Sequence, residues 1–116
     1  MHELTFADGL VRAARSAARR SAPGRPVTAL EVEVGEVSTV VPELLAGAFA
    51  IAAEGTELAG AALRFRRTAL AFECRRCARR FGAGPIACPA CGSADVAIVA
   101  GREVKLLAIE VEEEPR

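Results

Sequence analysis

The order of hydrophobic and polar positions predicts that the chain begins with an amphipathic helix. Apolar residues recur at helical spacing on one side and arginines on the other: Phe6, Leu10, Ala14 and Ala17 against Arg12, Arg15 and Arg19. Thr5, followed three residues later by Asp8, resembles a capping box and predicts that Thr5 is the N-cap. The loop-forming run from Ser21 to Pro26 ends the helix.

A period of two then replaces the helical period over residues 27 to 37. Leu30, Val32 and Val34 alternate with Glu31 and Glu33, which predicts a strand with one buried face and one wet face. The glutamates could form a carboxylate cluster for acid–base work, but a solvated strand face explains them more simply.

A second helix is predicted from about residue 42 to residue 54. Ser38 or Thr39 could cap it, Pro42 suits its first turn, and Gly55 suits its end.

Two further strand patterns flank the cysteines. Leu63 and Phe65 alternate with arginines, and Leu70 and Phe72 extend that alternation toward Cys74. Residues 104 to 111 also resemble a strand. Their phase slips between Leu106 and Leu107, which predicts a bulge or burial on both faces.

This order of elements predicts an α+β fold, with two helices, a three-stranded sheet and a metal-binding domain inserted between two strands. The predicted division assigns residues 1–71 and 99–116 to an α/β domain and residues 72–98 to the inserted domain.

The four cysteines form two C-x-x-C pairs separated by ten residues, Cys74/Cys77 and Cys88/Cys91. Two such pairs at this spacing are typical of a four-cysteine structural zinc site. Two disulfides, a redox pair or a rubredoxin-like iron site are the alternatives. Zinc with four thiolates carries a formal charge of about −2. The neighbouring arginines could offset that charge: Arg75, Arg76, Arg79 and Arg80.

Composition restricts the functional classes. The 116 residues are 52% hydrophobic and carry 15 basic and 15 acidic side chains, so no overall field favours nucleic acid or a membrane. The sequence contains no P-loop, no Rossmann fingerprint, no signal-peptide pattern and no membrane-length apolar run, which predicts a cytoplasmic protein that is not an enzyme.

The first three residues carry the remaining metal chemistry. The Met1 amine, the His2 amide nitrogen and the His2 imidazole can close fused chelate rings around one ion, and Glu3 could add a fourth donor. Such planar nitrogen donors suit Ni(II) or Cu(II) better than zinc. A lone histidine near a terminus is more often an exposed bystander, so the pattern alone leaves both interpretations open.

Several motifs together resemble the HypA/HybF family of hydrogenase-maturation nickel metallochaperones. They are Met1-His2-Glu3-Leu4, Gly35-Glu36-Val37-Ser38 with Val41-Pro42-Glu43, and the paired cysteines before Gly101-Arg102-Glu103. The resemblance covers about residues 1–112. It implies two helices on a three-stranded sheet with an inserted zinc-ribbon-like domain. It also implies delivery of Ni(II) to the large subunit of [NiFe]-hydrogenase, with a partner GTPase (HypB).

Carried over residue by residue, the resemblance implies nickel ligands at Met1, His2 and Glu3. It implies structural zinc at Cys74, Cys77, Cys88 and Cys91. Because some members also serve urease, urease accessory proteins join the expected partners. Some members have an acidic residue at the position of Val41, and many carry histidines beside the zinc cysteines, where this chain has none.

The rival interpretation is a zinc ribbon that docks nucleic acid or protein through the arginines between Arg64 and Arg80. Stacking side chains for nucleic acid are scarce, because the chain has no Trp, no Tyr and five Phe. Dependence of binding on the free N-terminus would distinguish a nickel carrier from such a ribbon.

Overall fold

The computed structural model describes residues 2–82 and 87–113, and for His2 the backbone alone. Two helices and six strands follow in chain order. Their bounds are α1 His2–Ser21, β1 Val27–Gly35, α2 Pro42–Ala52, β2 Ala62–Thr68, β3 Ala71–Cys74, β4 Arg80–Gly82, β5 Val96–Ala100 and β6 Val104–Val111. The strands form two separate three-stranded sheets, β2-β1-β6 and β4-β3-β5. The molecule is elongated, with extents of 59 × 31 × 17 Å. Neither helix in the described ranges is long and apolar enough to cross a membrane.

The first sheet carries both helices on one face. Strand β1 lies in the centre, parallel to β2 and antiparallel to β6. Parallel neighbours need a crossover connection, and α2 supplies it. Leu30, Val32 and Val34 point into the core as predicted, whereas Glu31 and Glu33 lie on the opposite face and are only half-buried. The predicted two helices, three-stranded sheet and four-cysteine site are therefore confirmed.

The opposite face of this sheet is charged and internally paired. Arg66 contacts Glu31 at 2.6 Å, and Arg64 contacts Glu110 on the far strand. This arrangement is a solvated strand face with cross-strand ion pairs, as expected from the alternation.

The start of α1 differs from the prediction. The helix begins at His2, so Thr5 lies within its first turn and is not the N-cap. The buried stripe of α1 runs through Ala7, Leu10 and Ala14, while Phe6 is 37% exposed at its edge. The small alanines allow α1 to pack closely on α2 and on the sheet.

The start of α2 also differs. Its N-cap is Val41, which makes no side-chain cap, and neither Ser38 nor Thr39 fills that role. The Ser38 hydroxyl oxygen instead accepts a bond from the Val40 N–H at 3.1 Å within the preceding turn. The Glu3 carboxylate accepts the Val41 N–H at 3.2 Å. A side chain from the first turn of α1 thus satisfies a backbone donor at the start of α2, a position that local capping residues usually serve. Pro42 lies at the first helical position, as predicted.

The predicted irregularity in the last strand is a bulge. Glu31 pairs with Ala108 and Val32 pairs with Leu106, so Leu107 has no partner in this ladder. Leu106 packs against the core and Leu107 faces solvent, which accommodates two consecutive leucines without reversing the strand.

The alternation from Leu63 to Phe72 is not one strand, because β2 ends at Thr68 and β3 belongs to the second sheet. Three backbone segments meet closely where the sheets join. A Cβ on Gly35 would lie 2.2 Å from the Gly101 carbonyl carbon, and a Cβ on Gly101 would lie 2.5 Å from the Leu70 Cα. The Glu36 N–H donates to the Thr68 carbonyl at 2.8 Å, and the Val37 N–H to the Gly101 carbonyl at 2.8 Å. The loop after β1 is therefore bonded to both segments that lead into the second sheet.

Candidate metal centre

The second sheet brings all four cysteines to one point. Cys74 is the last residue of β3, and Cys88 lies in the turn region between β4 and β5. The four Sγ atoms lie within 4.8 Å of one another, and the Cys74–Cys91 and Cys77–Cys88 pairs are each 3.6 Å apart. A tetrahedral ion with metal–sulfur bonds near 2.3 Å needs sulfur–sulfur edges of roughly 3.8 Å. The donor set and its spacing fit one tetrahedral metal ion.

The disulfide alternative does not agree with this geometry. All four cysteines are free. The shortest sulfur–sulfur distances, 3.6 Å, are far longer than the roughly 2.05 Å of a disulfide bond. Each close pair also joins one C-x-x-C motif to the other, so that neither motif closes on itself as a redox pair would.

Two similar turns present the sulfur atoms. In the first, the Arg76 N–H points at the Cys74 sulfur at 3.4 Å. In the second, the Ala90 N–H points at the Cys88 sulfur at 3.4 Å. Each turn closes through a backbone bond to the carbonyl of its first cysteine, from Ala78 at 2.9 Å and from Gly92 at 2.8 Å. Backbone donors aimed at sulfur favour the thiolate, which is the form that binds metal.

The thiol pKa values follow from these donors and from the crowding of sulfur. The backbone N–H of Cys91, with that of Ala90, lowers the pKa of Cys88 to about 6 against the opposing effect of burial. The backbone N–H of Cys77 likewise leads the interactions that lower the pKa of Cys74. At Cys77 the Arg79 N–H favours the thiolate, but the Cys88 sulfur, burial and the other two sulfurs outweigh it and raise the pKa to about 11. A bound cation removes this conflict, because it stabilises all four thiolates together.

The predicted role of the nearby arginines holds only in part. Arg75 contacts Asp95 at 2.9 Å and Arg80 contacts Glu73 at 3.3 Å, so these two are paired with carboxylates. Arg76 and Arg79 make no ion pair with any described residue, and compensation of the cluster's charge by these two side chains stays a prediction. With Arg64 and Arg66 also paired, much of the predicted phosphate-binding surface is already neutralised.

At the other end of the molecule, the structure describes one of the three predicted nickel ligands in full. Glu3 lies in the first turn of α1, half-buried, with its carboxylate on the Val41 N–H. Met1 and the His2 side chain lie outside the described residues. The Glu3–Val41 contact leaves no local signal in the sequence, because it joins residues that are far apart along the chain.

A small α/β body joined to a sheet with a four-cysteine knuckle defines a class of metal-binding proteins. Residues 1–111 match the profile of a family described as "Hydrogenase/urease nickel incorporation, metallochaperone, hypA". The chain belongs to this HypA family of nickel metallochaperones, which function in hydrogenase maturation.

Individual relatives agree with the family assignment. Hydrogenase maturation factor HypA of Geobacter sulfurreducens is 37% identical over 117 residues, which cover 97% of this chain and 100% of that protein. A solution structure of a HypA protein superposes with a TM-score of 0.82 at 25% identity, and 98% of each chain is covered. The solution structure of the Ni metallochaperone HypA from Helicobacter pylori superposes with a TM-score of 0.77 at 24% identity. The superposition covers 97% of this chain and 98% of that one and supports the shared fold.

Proposed function

We propose that the chain carries one Ni(II) on its first three residues and one structural zinc on its four cysteines. The convergence of four free sulfur atoms is the observation that carries the zinc assignment. Zinc has no redox chemistry and prefers tetrahedral thiolate sites, which suits a permanent structural ion. The proposed nickel ligands are Met1, His2 and Glu3, and nickel is cargo that the protein releases.

The start of α1 at His2 supports a backbone nickel site. The first four N–H groups of a helix have no acceptor within the helix. The amide nitrogens of His2 and Glu3 fall in this unbonded set, so a metal can take them without breaking a helical hydrogen bond. The partial positive charge of a helix N-terminus opposes a bound cation, but ionised amides and the Glu3 carboxylate offset that charge.

Glu3 links this site to the start of α2. If its carboxylate turns toward nickel, the Val41 N–H loses its acceptor. Loading of nickel is therefore expected to change the environment of Val41 and Pro42, residues that lie at the junction of the loop and α2.

The proposed mechanism is transfer and not catalysis. Protonation of the amine, amide and imidazole donors weakens the site, so nickel affinity is expected to fall in mildly acidic solution. The proposed receivers are the maturation GTPase (HypB), the [NiFe]-hydrogenase large subunit and, where present, urease accessory proteins. The cytoplasm is the proposed compartment, because thiols stay reduced there.

The test of this function is nickel titration of the zinc-loaded protein by calorimetry. The unaltered chain should bind one Ni(II), whereas His2→Ala should lose that binding and keep its zinc. Addition of two residues before Met1 should have nearly the same effect, because it converts the Met1 amine into an amide. Thr5→Ala, four residues into α1, is the control and should bind nickel normally.

The variant with two residues added before Met1 distinguishes a nickel site that uses the backbone from one made only of side chains. A site made only of side chains would bind nickel equally well with residues added before Met1, and that result would reject the backbone chelate. Nickel affinity unchanged by His2→Ala would reject the N-terminal site altogether.

A further inference from the structure

The outward face of α2 is apolar, unlike the outward face of α1. Leu44 is 59% exposed and Ile51 is 66% exposed, and because Ile51 follows Leu44 by seven positions, about two helical turns, both lie on one side of the helix. Gly47 and Ala50 lie on the same exposed side. We name this surface, formed by Leu44, Gly47, Ala50 and Ile51, the α2 face.

Two exposed valines precede the helix in the same segment. Val37 and Val41, in the loop that precedes α2, are 48% and 43% exposed. The side chain of Val41 stands next to the backbone N–H that contacts Glu3. Exposed large apolar side chains are common singly, but several within one short segment of a small protein point to an interaction surface.

The segment that carries this surface has charges of one sign. From Val27 to Leu63 the sequence contains six glutamates and neither lysine nor arginine. Glu31 and Glu57 are neutralised by Arg66 and Arg15, with both contacts at 2.6 Å. The glutamates that border the α2 face form no ion pair with any described residue: Glu36, Glu43 and Glu54.

We propose that the α2 face is a docking site for a partner protein that offers an apolar centre bordered by lysine or arginine. Apolar contact supplies affinity at the centre of an interface, and complementary charge at its rim directs the encounter. An acidic border repels anionic lipid and nucleic acid, so these are not the occupants. Because Val41 adjoins Glu3, a partner held on the α2 face is placed beside the proposed nickel site.

The test measures binding of two purified probes to the zinc-loaded protein: the metal-free precursor of the host's hydrogenase large subunit and the host's maturation GTPase. Leu44→Glu combined with Ile51→Glu should weaken binding of at least one probe about tenfold or more. Glutamate is a good helix former and both positions are exposed, so the helix should persist. Leu107→Glu is the matched control, since Leu107 is 41% exposed at the β6 bulge on a strand edge, and it should leave binding unchanged.

Charge is tested separately from apolar contact. Glu43→Gln with Glu54→Gln should lower the association rate severalfold and flatten its dependence on salt. Glu33→Gln with Glu112→Gln makes the same change in net charge away from the α2 face and should have little effect.

Three results would overturn the proposal. The first is that neither probe binds, and the second is that Leu107→Glu weakens binding as much as the double variant does. The third is that the wild-type protein is a dimer and that Leu44→Glu with Ile51→Glu converts it to a monomer. That result would assign the α2 face to a second copy of this chain. The proposal rests on the proposed function only for the choice of probes. Nickel titration of the same variants distinguishes failure of the docking proposal from failure of the proposed nickel site. A variant that loses partner binding but still binds nickel has a defect in the α2 face alone.

Discussion

The two sheets are of equal strand number but are stabilised by different means. The first sheet packs against two helices and buries Leu30, Leu45 and Leu58 completely. In the described part of the segment that forms the second sheet, from Ala71 to Ala100, the only buried side chains are Cys74 and Cys88, at 1% and 3% exposure. Phe72 and Phe81 form a stacked pair across β3 and β4, with ring centroids 5.4 Å apart.

The difference shows what a segment of about thirty residues can and cannot do. So short a segment does not bury enough apolar surface to offset its conformational entropy, and domains of this size usually need a metal or disulfides. We therefore expect the second sheet to depend on a bound metal ion, whereas the first sheet follows from hydrophobic patterning. The sheets are joined by close backbone contacts at Gly35 and Gly101, which set their relative position without a shared core.

Removal of the metal should have the largest effect and should be confined to the second sheet. Cys88→Ala, or chelation of the wild-type protein, removes a site whose apparent binding energy in small zinc domains is about 10–16 kcal/mol. Hydrogen exchange should then accelerate across β3, β4 and β5 while β1 and β6 keep their protection. Readdition of zinc to the chelated wild type should restore the slow exchange. Equal acceleration in both sheets would mean that they unfold as one unit.

The reciprocal change is in the core of the first sheet. Leu45→Ala removes a fully buried side chain and should lower the free energy of unfolding by about 3 kcal/mol, leaving the zinc content at one per chain. Leu44→Ala, one residue earlier on the exposed side of α2, should change it by less than about 0.5 kcal/mol. Denaturant titration with a zinc assay measures both quantities. Loss of zinc from folded Leu45→Ala would contradict the separation of the two sheets.

The sequence predicted those features that depend on local periodicity or on the chemistry of one residue type. The buried face of β1 was predicted from the alternation of Leu30, Val32 and Val34 with glutamates. The bulge was predicted from the change of phase at Leu106–Leu107, and the metal site from the spacing of the cysteines. Each of these signals lies within a few consecutive residues or in a spacing that little else explains.

Features that depend on contacts between distant segments were not predictable in this way. Thr5 and Ser38 are good capping residues, but α1 begins earlier and the N-cap donor of α2 is satisfied by Glu3. The close approach of Gly35 and Gly101 likewise leaves no local signal beyond the glycines themselves. Tertiary contacts override local capping preferences because a partner from another element supplies the same hydrogen bond.

The smallest expected change in stability comes from exchanging alanine and glycine between the two cysteine turns. The residue after the second cysteine of each turn has a left-handed backbone, at φ 65° for Ala78 and φ 74° for Gly92. Glycine adopts this conformation freely, whereas alanine there costs about 1 kcal/mol. A Cβ on Gly92 would meet no atom within 4 Å, so the backbone alone decides the outcome of Gly92→Ala.

Ala78→Gly should therefore stabilise the second sheet, and Gly92→Ala should destabilise it, each by about 1 kcal/mol or less. The greater unfolded-state entropy of glycine reduces the gain at Ala78 and the loss at Gly92 alike, so the two changes in stability are expected to be similar in size and opposite in sign. Zinc competition with a chromophoric chelator and thermal unfolding measure both changes. The stability of the double variant should return near the wild-type value, because the two turns have equivalent backbone conformations. If Ala78→Gly weakens zinc binding as much as Gly92→Ala does, the turns are not equivalent and the Ala78 methyl group contributes a contact of its own.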